Sequence, residues 1–181
     1  CNPYYNALPG IVEKYMEDIN SRIGTRYGLF NYYGAPDAEH IIIAMGSVCQ
    51  TIKETVDYLN TKENTRYKTG LIEVHLYRPF SAAHLLQAIP GSVRQITVLD
   101  RTKEPGAAGE PLYLDVLAAL RDTAFHNIPI LSGRYGLSSK DTTPDQIYAI
   151  FRNMDDTKKD TKAFFTVRIT DDVSNMSLPV N

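Results

Sequence analysis

The residues best suited to chemistry are three arginines that each come directly after a short apolar run. Arg78, Arg101 and Arg134 follow segments with the composition of buried β-strands. Because the carboxyl ends of parallel strands share one edge of a sheet, we expect the three guanidinium groups on one rim. Such groups can bind a carboxylate or phosphate, or pair with acidic groups of a neighbouring domain. We favour the neighbouring domain.

A second candidate contact is the predicted helix start at Gly46 and Ser47. The Ser47 hydroxyl can cap the helix, and the free amides of the first turn form a weak anion site. The pair lacks both the Walker lysine and the three-glycine pattern of nucleotide-binding loops, so we predict capping alone. Cys49 lies in the same turn, but no base is near it in sequence, and we predict an unreactive thiol.

The loop after Arg101 is the third candidate. Small residues fill its middle from Gly106 to Gly109, between charged flanks that include Lys103 and Glu110. Small residues allow a backbone to approach another surface closely. The loop is therefore either a mobile solvated segment or a docking element that aims Arg101 at a partner, and we favour docking.

No residue pattern in the chain indicates catalysis. Its 2 cysteines, Cys1 and Cys49, form no metal-binding spacing, and its 4 histidines stand alone. An independent hydrolase or transferase would need a nucleophile with a base, and the spacing provides no such pair. A small-molecule module that binds an anion or phosphate through the strand-end arginines stays open as an alternative.

Alternating strands and helices predict an α/β fold. Helices fall between five strand candidates, and the runs are apolar on both faces, as in a covered parallel sheet. We predict a three-layer α/β/α sandwich with a mostly parallel sheet of about five strands, the last of them antiparallel at an edge. The predicted strands are 41–45, 71–76, 95–99, 128–132 and 164–169.

The first part of the chain precedes the alternating strands and helices. An amphipathic helix is predicted between Pro9 and Gly24, followed by an aromatic stretch that reads as an extended lead-in on the sheet edge, or else as an inter-domain contact surface. We therefore place one α/β domain at residues 1–170, with the helix and lead-in at 1–39. Residues 171–181 are expected to be an exposed tail leading to a next domain.

Composition excludes several classes of protein. The net charge of −2 gives no basic surface for nucleic acid, and the apolar runs are too short for a membrane helix. Free cysteines fit a reducing cytoplasm better than an export route, so we predict a cytoplasmic protein. A chain that starts at Cys1 rather than Met indicates a piece of something longer.

Five blocks of the sequence, in order and across almost the whole chain, resemble one family. Three of them carry the arginines, in Leu-Tyr-Arg-Pro-Phe, Leu-Asp-Arg-Thr-Lys-Glu-Pro-Gly and Gly-Arg-Tyr-Gly-Leu-Ser-Ser-Lys. The blocks are residues 31–38, 43–49, 76–80, 99–106 with 109–112, and 133–140. They resemble the second domain of pyruvate:ferredoxin (flavodoxin) oxidoreductase, or pyruvate synthase, a domain similar to the transketolase C-terminal domain.

The resemblance implies a large homodimeric enzyme of anaerobic metabolism. Such an enzyme decarboxylates pyruvate on thiamine diphosphate with Mg²⁺, passes electrons through [4Fe-4S] clusters to ferredoxin or flavodoxin, and transfers the acetyl group to coenzyme A. No catalytic residue of the family maps onto this chain, so the resemblance implies a structural module without a cofactor. Its candidate contacts to other domains are Gly46, Ser47, Arg78, Arg101, Lys103 and Arg134.

Overall fold

The computed structural model describes residues 2–62, 65–155, 157, 160–170 and 176–180. Within them, helices and strands alternate from the second strand onward, as the sequence predicts. The elements are α1 (Asn2–Ile23), β1 (Phe30–Gly34), β2 (His40–Ala44), α2 (Val48–Thr61), β3 (Thr69–Val74), α3 (Ala82–Ala88), β4 (Gln95–Asp100), α4 (Pro111–Leu120), β5 (Ile130–Arg134), a 3-10 turn (Leu137–Ser139), α5 (Pro144–Asn153) and β6 (Phe164–Thr166).

The strands form one six-stranded sheet in the order β1-β3-β2-β4-β5-β6. Strands β2 to β6 pair in parallel, and only β1 runs antiparallel, beside β3. All five residues of β2 are buried, because helices cover both faces of the sheet. The carboxyl ends of the five parallel strands therefore lie along one rim.

Two apolar cores lie on opposite faces of the sheet. Alternate strand residues divide between them: Ile42 and Leu71 pack with α2 and α5, whereas Ile41 and Ile43 pack with α3 and α4. Burying an isoleucine or leucine side chain stabilises a fold by roughly 1.5–3 kcal/mol relative to leaving it exposed. The three-layer α/β/α prediction is confirmed, and the fold is consistent with the transketolase C-terminal-like domain that the resemblance implies.

The edges of the sheet agree with the predictions in position and differ in detail. The aromatic stretch is extended and lies at one edge, as predicted, but it is a paired strand: β1 pairs with β3 from Phe30 opposite Val74 to Gly34 opposite Gly70, which brings the sheet to six strands. β6 lies at the other edge as predicted, but it pairs in parallel with β5. Its direction depends on the path of the connection from α5, which the apolar pattern of a strand does not encode.

The two ends of the chain also differ from expectation. α1 begins before Pro9 and contains no buried residue. Only its Val12 and Met16 pack partly against the α3/α4 core. At the other end, Leu178 is buried, and its amide donates to the Thr166 carbonyl at 2.9 Å, so residues 176–180 are not simply an exposed tail. The rest of the predicted tail, 171–175 and 181, lies outside the described residues.

None of the described helices, α1 included, combines the length and the apolar character needed to span a membrane.

We expect Gly133→Ala to destabilise the fold by about 1–3 kcal/mol through overpacking. A methyl group at Gly133 in β5 would lie 2.5 Å from the Phe165 ring and 2.7 Å from the Leu99 side chain. Urea unfolding of the purified chain measures the change. Gly91→Ala is the matched control, because a methyl group there meets no atom within 4 Å, and its effect should stay within about 0.5 kcal/mol. Equal stability of the two variants would contradict the packing described.

Candidate functional site

The rim at the carboxyl ends of the strands contains the residues that the sequence singled out. Gly46 and Ser47 follow β2, Arg78 follows β3, Arg101 follows β4, and Arg134 ends β5. The structure thus confirms that the three arginines share one edge of the sheet. Their immediate partners, however, come from residues that the sequence analysis did not single out for this role.

The first of these residues is Asp100, the last residue of β4. Its buried carboxylate accepts the backbone amides of Leu112 at 3.0 Å and Tyr113 at 3.2 Å. These are free amides of the first turn of α4, and the helix dipole also favours a negative charge there. Glu110, which directly precedes α4, makes no side-chain capping bond. Asp100 therefore caps α4 from the neighbouring strand.

Burial of Asp100 raises the pKa of its carboxyl group above the ordinary value of 3.8. The two amide bonds act in the opposite direction and lower it, and the nearby carboxylates Glu110 and Asp115 raise it further. The net shift is upward, so burial outweighs the capping bonds in setting the protonation of Asp100.

Arg134 is neutralised within the domain. Its Nε lies 3.5 Å from Oε1 of Glu110, and the two side chains are only 16% and 10% exposed. The other carboxylate oxygen of Glu110 accepts the amide of Glu104 at 2.9 Å, which fastens the long loop to the start of α4. Arg134 consequently supports this loop from inside the fold.

Arg78 also has an internal partner. Its Nη1 lies 2.6 Å from Oδ2 of Asp115 in α4, and its Nη2 donates to the Tyr77 hydroxyl at 2.9 Å. The guanidinium carbon also lies 3.9 Å from the centre of the Tyr77 ring, within cation–π range. Although the side chain is 53% exposed, its charge is already compensated.

Arg101 differs from the other two arginines. Its Nε donates to the Gly136 carbonyl at 3.1 Å, and no carboxylate of the described residues lies within ion-pair distance of it. Gly136 has a φ of 62°, and a Cβ there would lie 3.0 Å from Arg101 Nε, so a glycine permits this close approach. Of the three arginines, Arg101 is therefore the one without a carboxylate partner among the described residues.

The loop between Arg101 and α4 encloses a cavity of about 240 Å³. Lys103 and the small residues 105–109 form one wall, and Ser132, Arg134 and the β6 phenylalanines form the other. Lys103 is exposed on the loop. Since Glu110 neutralises Arg134 and Asp115 neutralises Arg78, the structure gives no support to one anion held jointly by the three arginines.

The predicted cap at Ser47 is wrong. Ser47 already has helical backbone angles, its hydroxyl makes no capping bond, and the Cys49 amide donates to the Gly46 carbonyl instead. Gly46 has a φ of 81°, which explains why a glycine stands at this turn. Cys49 is fully buried, and its burial raises the pKa of the thiol to about 12, so the thiolate needed for reactivity is suppressed.

We expect Asp100→Asn to gain stability relative to the unsubstituted protein as pH rises from about 4 to 7. A group whose folded pKa is raised favours folding below its unfolded pKa, and that contribution is lost as pH passes through the folded pKa. Asparagine does not ionise and escapes this loss. Urea unfolding across this range measures the difference, with the exposed Asp122→Asn as control. A constant or shrinking difference would mean that the capping bonds outweigh burial.

Comparison with known proteins identifies the family. The family model described as pyruvate:ferredoxin oxidoreductase core domain II matches residues 38–147. A probable pyruvate-flavodoxin oxidoreductase of Escherichia coli is 53% identical over 185 residues, and a pyruvate:ferredoxin oxidoreductase of Moorella thermoacetica is 52% identical over 180. A pyruvate-flavodoxin oxidoreductase of Enterobacter agglomerans is also 52% identical over 180 residues.

These alignments cover 99% of the chain but only 15% of each relative's own length. The chain therefore spans only about one seventh of the length of these relatives. With the family model matching more than half of its residues, the chain belongs to the pyruvate:ferredoxin oxidoreductase core domain II family.

Proposed function

We propose that this chain is a packing module of a larger enzyme that oxidatively decarboxylates pyruvate. In that reaction pyruvate and coenzyme A give acetyl-CoA and CO₂, and two electrons pass to ferredoxin or flavodoxin. The proposal rests on one observation. Nearly the whole chain aligns, at 52–53% sequence identity, with 15% of the length of each relative named pyruvate-flavodoxin or pyruvate:ferredoxin oxidoreductase. The enzyme works in the cytoplasm as a homodimer.

The cofactors of the proposed enzyme do not fit this chain. A four-iron cluster takes four thiolates, whereas the chain has 2 cysteines, and the pKa of the buried Cys49 is raised. In the described ranges, no three His, Cys, Asp or Glu side chains are grouped to bind Mg²⁺. We therefore assign thiamine diphosphate, Mg²⁺ and the clusters to other parts of the longer enzyme, and no chemical step to this domain.

The rim supports a role in packing. Arg78 and Arg134 are compensated by carboxylates of this domain, whereas Arg101 has no carboxylate partner among the described residues. Lys103 and the small residues of the loop follow Arg101 in the chain. A carboxylate from a neighbouring domain can pair with Arg101, and the small side chains allow its backbone to come close.

We expect Arg101→Ala to have little effect on the isolated chain and a clear effect on the assembled enzyme. Loss of one part-buried hydrogen bond should lower the melting temperature of the 181-residue chain by no more than about 2–4 °C. In the full-length enzyme, the partner carboxylate would lose its counter-charge, which costs about 2–5 kcal/mol when the pair is desolvated. Turnover per folded molecule, or resistance of the domains to separation, should therefore fall.

The matched control is Arg121→Ala, an equally exposed arginine that follows α4 at the opposite edge of the sheet. It should leave both measurements unchanged. If Arg101→Ala unfolds the isolated chain and leaves the assembled enzyme fully active, Arg101 is an internal structural residue and the docking proposal is wrong.

We also expect the isolated 181-residue chain to bind no iron and to show no pyruvate-dependent reduction of a viologen dye. The reason is that its two thiols are too few for a four-iron cluster. Iron analysis and an anaerobic dye assay test this directly, with the full-length enzyme as positive control. Stoichiometric iron, or activity in the chain alone, would end the packing proposal.

A further inference from the structure

The surface of α1 is unusually apolar for a helix that faces solvent. The described residues include eleven large hydrophobic side chains that are exposed, and six of them lie in this one helix. The six are Tyr4, Tyr5, Ile11, Tyr15, Ile19 and Ile23. Single exposed apolar side chains are normal, but a concentration of them on one element marks an interaction site.

Four of the six form a continuous stripe along α1. At 100° per residue, Tyr4, Ile11, Tyr15 and Ile19 fall within about 80° of one another on the helix surface. The stripe lies beside the face through which Val12 and Met16 pack on the domain. Two tyrosines with two isoleucines match the composition of protein interfaces, where an apolar ring is buried and its hydroxyl finds an acceptor.

α1 contacts the rest of the domain through polar groups as well as through Val12 and Met16. Glu13 lies 3.6 Å from Nε2 of His84 in α3, and the Asn20 side chain bonds the Tyr27 backbone through both its amide and its carbonyl group. These contacts lie at the middle and at the end of the helix, so the domain presents the stripe on its surface.

We infer that the α1 stripe docks an apolar face of another domain of the same long protein. This inference rests on the proposed function and adds a second contact, on a different element from the rim. The chain spans 15% of its relatives' length, so a large tethered polypeptide is available at high effective concentration.

A second copy of the chain fits this surface less well. From Tyr4 to Ile19 the stripe is about 23 Å long, and at a width of about 10 Å it covers roughly 230 Å². Stable separate partners bury about 800 Å² each. A small apolar contact between tethered domains needs no such area, because the tether already holds the two surfaces near each other. The occupant should be an apolar surface with hydrogen-bond acceptors for the tyrosine hydroxyls.

Hydroxyl-radical footprinting of the full-length protein tests the inference, with the oxidation rate of Tyr15 as the readout. An added tyrosine peptide normalises the radical dose. Tyr15 is 66% exposed in the domain described here, so its rate should be high in the 181-residue chain. Burial in a docked interface should lower it by about fivefold or more in the full-length protein.

Two variants of the full-length protein sharpen the test. Ile11→Lys with Ile19→Lys places charges in the stripe on either side of Tyr15, and it should restore the Tyr15 rate towards that of the isolated chain. Glu17→Lys, on the far side of the same helix and exposed, adds charge without touching the stripe and should leave Tyr15 protected.

Two outcomes would overturn the inference. One is a Tyr15 rate that is equally high in the full-length protein and in the isolated chain. The other is protection that appears in the isolated chain with rising concentration, together with a dimer in sedimentation, because this would assign the stripe to a second copy. Neither readout depends on catalysis, so failure here leaves the Arg101 test of the proposed function untouched.

Discussion

The arrangement of the rim depends on the two hydrogen bonds that the Asp100 carboxylate accepts from backbone amides in the first turn of α4. They fix the start of the helix to the end of a central strand across a loop of ten residues, 101–110. Two carboxylates near the start of the helix then serve as counter-ions. Glu110, directly before α4, pairs with Arg134, and Asp115, in the second turn of α4, pairs with Arg78. One buried carboxylate thus sets the position of both ion pairs, and its burial is the energetic cost of that arrangement.

The distribution of charge along the rim separates internal from external roles. Arginines with carboxylate partners in the domain stabilise the loop and the helix that surround them, and they have little free charge to offer. Among the described residues, Arg101 bonds a carbonyl group and has no carboxylate partner. Together with the apolar α1 stripe, this gives the domain two surfaces of different chemistry, as expected of a module with more than one neighbour.

The sequence predicted what depends on local pattern and missed what depends on distant partners. The run from Ile41 to Met45 identified a covered strand, because a continuous apolar run is a local signal. The roles of Asp100 and Glu110 were missed, since their partners lie 12 and 24 residues away. The apolar periodicity of α1 was visible, but periodicity shows which face of a helix is apolar and not whether anything covers it.

The two edges of the sheet determine how well the domain resists strand exchange and aggregation. β6 has only three residues, and the Thr166 backbone beside it already pairs with the segment around Ser177. β1 is five residues long, ends at Gly34 and runs against the direction of the other strands. Short or covered edge strands give a poor template for strands of other chains. This sheet therefore offers little surface for strand exchange or aggregation.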